Sequence, residues 1–198
     1  MKAYQTLPAG YELIDTVNLA SDKKTALRVN LAAAALMAVM AVPMHFVVPI
    51  GSLFSMEQGL GAYVLRIAVL LLGYIAYIVL HELTHGAVMR AVGGGRVRFG
   101  FNGMYAWAGS ETDFFDKTAY RCIALAPLVV WGLIFTILLP LASREWLWVV
   151  WWLQIGNVAG AAGDVYVTIR FAPLPKDILV RDTGIDMTVY AKGGSTGR

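Results

Sequence analysis

The sequence predicts an all-α polytopic membrane protein: about four transmembrane helices, with a β-hairpin between helices 2 and 3. Three observations predict it. Of 198 residues, 58% are hydrophobic and only 15% charged, against roughly 25% charged in an ordinary soluble domain. Four apolar runs each reach the roughly 20 residues that an α-helix needs to cross a bilayer. A short alternating stretch around Asn102-Gly103 carries a hairpin signal. This composition excludes a disordered chain, a coiled coil and a nucleic-acid module, so the expected environment is a lipid bilayer.

Residues 1–28 read as a polar N-terminal segment, and no cleavable leader is expected. The apolar runs cover about 29–50, 62–92, 119–142 and 146–169, within a membrane domain at 29–172. Backbone groups in lipid must bond within their own segment, so each run is expected to be a helix. The tail, 173–198, opens with Pro173 and Pro175, which break the helix. Its last stretch, 192–198, reads as flexible. Of the 16 Lys and Arg residues, all but Arg66 and Arg144 fall in the N-terminal segment, the connection between runs two and three with its flanks, or the tail. Both termini are therefore expected in the cytoplasm, of a bacterial or archaeal cell membrane.

Some residues have plain structural expectations. Cys122, the one cysteine, has no disulfide partner and is expected to pack as a small hydrophobe. Trp146, Trp148, Trp151 and Trp152 fit an interfacial belt. His45 reads as structural. The connection holds Val97, Phe99 and Phe101 alternating with Arg98 and Gly100, then Asn102-Gly103, then residues 104–108. Asn-Gly supplies the positive φ of a tight turn, so a hairpin is expected over 96–109. The acids after it, Glu111, Asp113 and Asp116, read as a solvated turn.

The second run contains His81-Glu82-Leu83-Thr84-His85. On a helix, positions i and i+4 share a face. Two imidazoles there can bind one zinc ion, and Glu82 can act as general base. Zinc lowers the pKa of coordinated water to about 7. The apolar run before the motif, 67–80, would span roughly 21 Å, short of a hydrocarbon core of about 30 Å. The helix should continue through the motif and place it inside the membrane near the cytoplasmic side. Ionisable groups there are costly and mark function by default. A hydrogen-bonded structural cluster, or a metal site without catalysis, is the plainer alternative.

Such a zinc wants a third protein ligand and an open position. Asp164, 18 residues into run four from Trp146, matches the depth of His81, 19 residues into run two from Ala62. Gly156, Gly160, Ala161 and Gly163 would let helices approach closely. Asn157, seven residues before Asp164, lies on the same helical face and could bond a substrate backbone or simply pack. Gln154 is a weaker candidate of that type.

His-Glu-Leu-Thr-His-Gly at 81–86 resembles the metal motif of the membrane zincin peptidases of the DUF3267 family, related in plan to site-2 protease-like intramembrane metalloproteases. The stretches 97–101, 105–108 and 124–128, and the spacing of Asn157 and Asp164 with interleaved glycines, resemble the same family over roughly 62–170. The resemblance implies zinc held by His81, His85 and Asp164, with Glu82 as base. One departure stands out: site-2 proteases carry a proline-containing Asn…Asp-Gly signature, whereas here no proline intervenes and Val165 follows Asp164.

The expected function is therefore a zinc metalloprotease that hydrolyses a peptide bond of a membrane-associated protein. Its hairpin would offer Phe99, Phe101, Tyr105 and Trp107 to an extended substrate segment, which could pair with the strand edge. A non-catalytic metal-binding scaffold or regulatory protein is the rival. A metal transporter is disfavoured, because the ligands form one cluster at one depth.

Overall fold

A computed structural model describes residues 1–101, 103 and 105–193. Among them are five α-helices: α1 (Lys23–Val47), α2 (Leu60–Ala91), α3 (Lys117–Leu138), α4 (Leu147–Gly160) and α5 (Ala162–Phe171). Among the described residues, three stretches are long and apolar enough to cross a membrane: Lys23–Val47, Leu60–Ala91, and Lys117–Leu141, which is α3 with its 3-10 extension. Their surfaces fit that reading, since α1 buries none of its residues and Leu71, Leu72, Val129 and Leu133 are all exposed.

The all-α expectation is corrected by seven strands among the described residues: β1 (Ala3–Tyr4), β2 (Tyr11–Val17), β3 (Arg98–Phe101), β4 (Ala106–Gly109), β5 (Phe114–Asp116), β6 (Leu179–Asp182) and β7 (Met187–Lys192). Five form an antiparallel sheet in the order β1-β5-β6-β7-β2. β3 and β4 form the second sheet, the expected hairpin. Phe101 pairs with Ala106, so four residues connect these strands rather than the two of an Asn-Gly turn. Asn102 itself lies outside the described residues, as does the end of the tail beyond Gly193.

The fourth apolar run is likewise two helices rather than one. Its helix stops at Ala161, where ψ turns to 8°, and α5 starts at Ala162. Gly160 and Gly163 flank the break, and glycine costs a helix about 1 kcal/mol each. Asp164 thereby falls in the first turn of a new helix, where the N-terminal dipole favours a carboxylate.

The chain divides into two compact units. One comprises Met1–Arg28, Glu82–Ala126 and Gly163–Arg198; the other comprises Val29–His81 and Pro127–Ala162. The first unit holds both sheets, and its core gathers Met89, Phe115, Tyr120, Ile123, Val180 and Val189. β2 from the N-terminal segment and β7 from the tail pair edge to edge, Tyr11 opposite Lys192. Two expectations in this unit are corrected. Cys122 is exposed, because it points away from the packed face of α3. Asp113 is fully buried and accepts hydrogen bonds from Gly95 N–H (2.7 Å) and Ser110 Oγ (2.7 Å), so it ties loops together rather than lying in a solvated turn. Asp116 accepts from Ala119 N–H at 2.7 Å and caps α3.

The second unit packs Val48, Leu53, Trp148 and Val149 together. Trp148 is fully buried and donates to Val48 O at 2.9 Å, while Trp151 donates to Met40 O at 3.1 Å. Trp148 is thus a packed core residue rather than part of an interfacial belt, and both N–H groups tie α4 to backbone carbonyls of the second unit. Arg66 is buried too, donating from Nε to Leu53 O at 3.2 Å and from Nη2 to Ser55 O. This accounts for a basic residue at an otherwise charge-poor boundary. His45 Nδ1 accepts from Ile50 N–H at 3.2 Å, a structural role.

Candidate metal centre

The motif helix α2 runs unbroken through His81, Glu82 and His85, and the boundary between the two units falls between His81 and Glu82. His81 and His85 stand one turn apart on one face of this helix. They are 9% and 8% exposed, and Glu82 is half-buried.

In the first unit, His85 Nδ1 lies 2.9 Å from Ile123 O. A carbonyl oxygen can only accept, so Nδ1 carries the hydrogen and Nε2 of the neutral ring carries the lone pair. The sequence explains why that carbonyl is available. In an α-helix the carbonyl of residue i accepts from the N–H of i+4. The residue four after Ile123 is Pro127, inside α3, and proline has no N–H. His85 fills the acceptor that Pro127 leaves open.

His85 Nε2 faces Asp164 Oδ1 at 3.6 Å. A direct charge-assisted hydrogen bond would be about 2.7–2.9 Å. Two ligands on a tetrahedral zinc, each about 2.0–2.1 Å from the metal, sit about 3.3 Å apart. The observed separation is closer to the second case. The donor set of imidazole nitrogens and a carboxylate oxygen also suits zinc. The residues therefore fit the metal that the motif implies.

Gly86, directly after His85, brings the hairpin onto the motif helix. A Cβ at this position would overlap the Phe99 ring of β3 and press on Val97. Of the residues expected to meet substrate, Phe99 is 49%, Phe101 70% and Tyr105 37% exposed. Trp107 instead lies against Gly100 and Gly184. β4 is anchored on its far side by Ser110 N–H to Asp182 O (2.7 Å).

In the second unit, His81 Nδ1 lies 2.9 Å from Tyr77 Oη. Tyr77 donates to Asn157 Oδ1 at 3.0 Å, and Asn157 Nδ2 donates to Leu128 O at 3.1 Å. Asn157 is fully buried. Gln154 is directed at Gly132 O and Thr136. The rings of Tyr74, Trp131 and Phe135 surround Tyr77, and Gly156 admits Tyr74, whose hydroxyl a Cβ would strike.

Sequence reasoning passed over Tyr77 and Asp182, and used Pro127 only within the 124–128 resemblance. Tyr77 could have been found, since it precedes His81 by one helical turn and so shares its face. The role of Pro127 could have been found by asking which carbonyl it orphans. Asp182 had no local signal: it reaches Tyr120 Oη (3.0 Å) only through the folded sheet.

An H-E-x-x-H helix with a carboxylate facing its second histidine is the donor arrangement that a zincin-type centre would use. The family model of DUF3267, described as "Putative zincin peptidase", matches residues 74–179, more than half of the chain. The chain belongs to this family. No curated protein and no solved structure matches it.

Proposed function

We propose that this chain is a zinc-dependent endopeptidase embedded in a membrane, with both termini cytoplasmic, cutting a membrane-associated protein. His81, His85 and Asp164 would each give one ligand atom to the metal. The observation that carries the proposal is the His85–Asp164 pair: a lone-pair nitrogen and a carboxylate oxygen, 3.6 Å apart, beside a motif glutamate.

Zinc, when bound, supplies a Lewis acid for water activation and carbonyl polarisation. Glu82 takes a proton from the attacking water and returns it to the leaving amine, so the peptide bond is replaced by a carboxylate and an amine. The three long apolar helices supply the bilayer setting. β3 supplies the substrate register. It is an edge strand that Gly86 brings against the motif helix, with Phe99 and Phe101 exposed along it. An extended substrate segment pairing there regains the backbone hydrogen bonds that it loses on unwinding from a helix.

The test uses purified protein in liposomes with membrane-tethered peptides, cleavage products being read by mass spectrometry. Wild type should cut and hold about one zinc per chain, as the three-ligand set requires. Glu82→Gln should keep the zinc and lose cleavage by about 10²–10⁴-fold, the usual worth of a general base. A zinc-loaded wild type that cuts nothing that Glu82→Gln leaves intact would favour the scaffold reading.

A further inference from the structure

The proposed reading needs His81 to present Nε2 to the metal, and the second unit contains a device that decides whether it can. We infer that Tyr77 and Asn157 are positioning residues that lock His81 in the Nδ1–H tautomer. The inference rests on the zinc reading for its consequence, but the lock itself is a property of the chain.

The chain of hydrogen bonds has one consistent direction. Leu128 O can only accept, so the Asn157 group 3.1 Å away is the NH₂. That orientation turns the carboxamide oxygen toward Tyr77, 3.0 Å away. The oxygen can only accept, so it takes the single hydroxyl hydrogen of Tyr77. With its hydrogen committed, Tyr77 Oη meets His81 Nδ1 at 2.9 Å as an acceptor. His81 must then carry its proton on Nδ1, which leaves the lone pair of the neutral ring on Nε2.

The surroundings hold this arrangement in place. Tyr77 and Asn157 are 5% and 0% exposed, so water does not compete for the bonds. The T-shaped contacts of Trp131 and Tyr74 with the Tyr77 ring, at 6.3 and 6.2 Å between centroids, fix where the hydroxyl sits. Gly132, with a Cβ position 3.3 Å from Asn157 Nδ2, leaves room for the amide. Second-layer partners of this kind orient metal-ligating histidines and are worth about 10–100-fold in affinity.

The direction of the bonds predicts an unusual order of effects. Asn157→Leu frees the Tyr77 hydroxyl to turn and donate to His81 Nδ1. The ring must then protonate Nε2, the atom the metal needs. Tyr77→Phe removes the hydroxyl and leaves the ring without a bias in either direction. Asn157→Leu should therefore weaken zinc binding by about 10–100-fold, and Tyr77→Phe should weaken it less. The double variant should recover to the level of Tyr77→Phe. Neighbours in contact couple with either sign, so the rescue counts for the lock only together with the tautomer signal.

Two readouts test this on the full chain in detergent: zinc affinity by chelator competition, and ¹⁵N chemical shifts of labelled histidine in metal-free protein, which report the tautomer. The expected result is an Nδ1–H signal for His81 in wild type, an Nε2–H signal in Asn157→Leu, and partial rescue in the double variant. An unchanged His81 signal in both single variants overturns the inference, as does additive loss in the double. If Asn157→Leu does not fold, Tyr77→Phe alone decides: an Nδ1–H population equal to wild type overturns the lock. If wild type binds no zinc, the peptidase reading fails while the ¹⁵N signals still judge the lock.

Discussion

The two histidines of one motif are held by different kinds of partner. His85, in the first unit, bonds a main-chain carbonyl of α3, Ile123 O. His81, in the second, bonds a side-chain relay through Tyr77 and Asn157. A carbonyl has one chemical direction and survives every side-chain substitution at its own position. A hydroxyl can reverse. The first device is robust and is set by a proline; the second is switchable and is set by an amide. The same tautomer is thus reached once through backbone geometry and once through a polarised chain of bonds.

The strongest way to break the comparison is to remove the carboxylate that His85 faces. Asp164→Ala takes away the carboxylate 3.6 Å from Nε2. Zinc affinity should fall by about 100-fold or more, beyond the 10–100-fold expected of an outer partner, because the proposed reading makes Asp164 a ligand rather than an orienting group. Chelator competition against wild type checks this. Full retention of zinc would move the third ligand elsewhere, and both histidine devices would then serve packing.

A second prediction concerns the wall of the first unit. Asp182 on β6 accepts from Tyr120 Oη (3.0 Å) and Gly184 N–H (2.8 Å). Its carboxyl is raised from 3.8 to about 6, chiefly by loss of water, with the Asp164 charge adding and these donors, together with His85, opposing. Because the folded pKa lies above the unfolded one, the folded state keeps a proton that the unfolded chain has released. Stability is fully present below about pH 4 and is lost as pH rises through about 6. At about 1.4 kcal/mol per unit, the loss is at most about 3 kcal/mol. In metal-free protein, Asp182→Asn should flatten the fall in melting temperature between pH 4 and 6. An equal slope in the variant would remove Asp182 from the account. The His81 relay, all of it inside the second unit, should not respond to this substitution.

Much of the site was legible because it is local. His81, Glu82 and His85 lie within one helical turn or so, and their pattern needs only the period of the helix. The hairpin at 98–109 announced itself by alternation. What escaped was non-local or broke a simple pattern. The seven-residue strand Tyr11–Val17 sits in a polar stretch, and its partner Met187–Lys192 is some 170 residues away, so no window contains the sheet. The break at Ala161 was hidden because Gly and Ala keep a run apolar while weakening its helix. Trp148 looked interfacial because a sequence shows that it is amphipathic, not which carbonyl its N–H will find. Asp113 looked solvated for the same reason.

The smallest expected effect tests the backbone device itself. Pro127→Ala gives α3 back the N–H that would normally bond Ile123 O. The carbonyl has two lone pairs, so His85 need not be displaced outright; it must share an acceptor and meet a helix drawn tighter around it. A net hydrogen bond is worth about 0.5–1.5 kcal/mol, and sharing forfeits only part of that. Zinc affinity should drop by about threefold, or about 0.7 kcal/mol, while the thermal stability of the metal-free protein rises as the helix gains a bond. That opposition is the useful signature. A proline kept for helix shape alone would, on replacement, change stability and leave the metal untouched. If affinity and stability instead fall together, Pro127 serves packing, and the Ile123 carbonyl is open to His85 for some other reason.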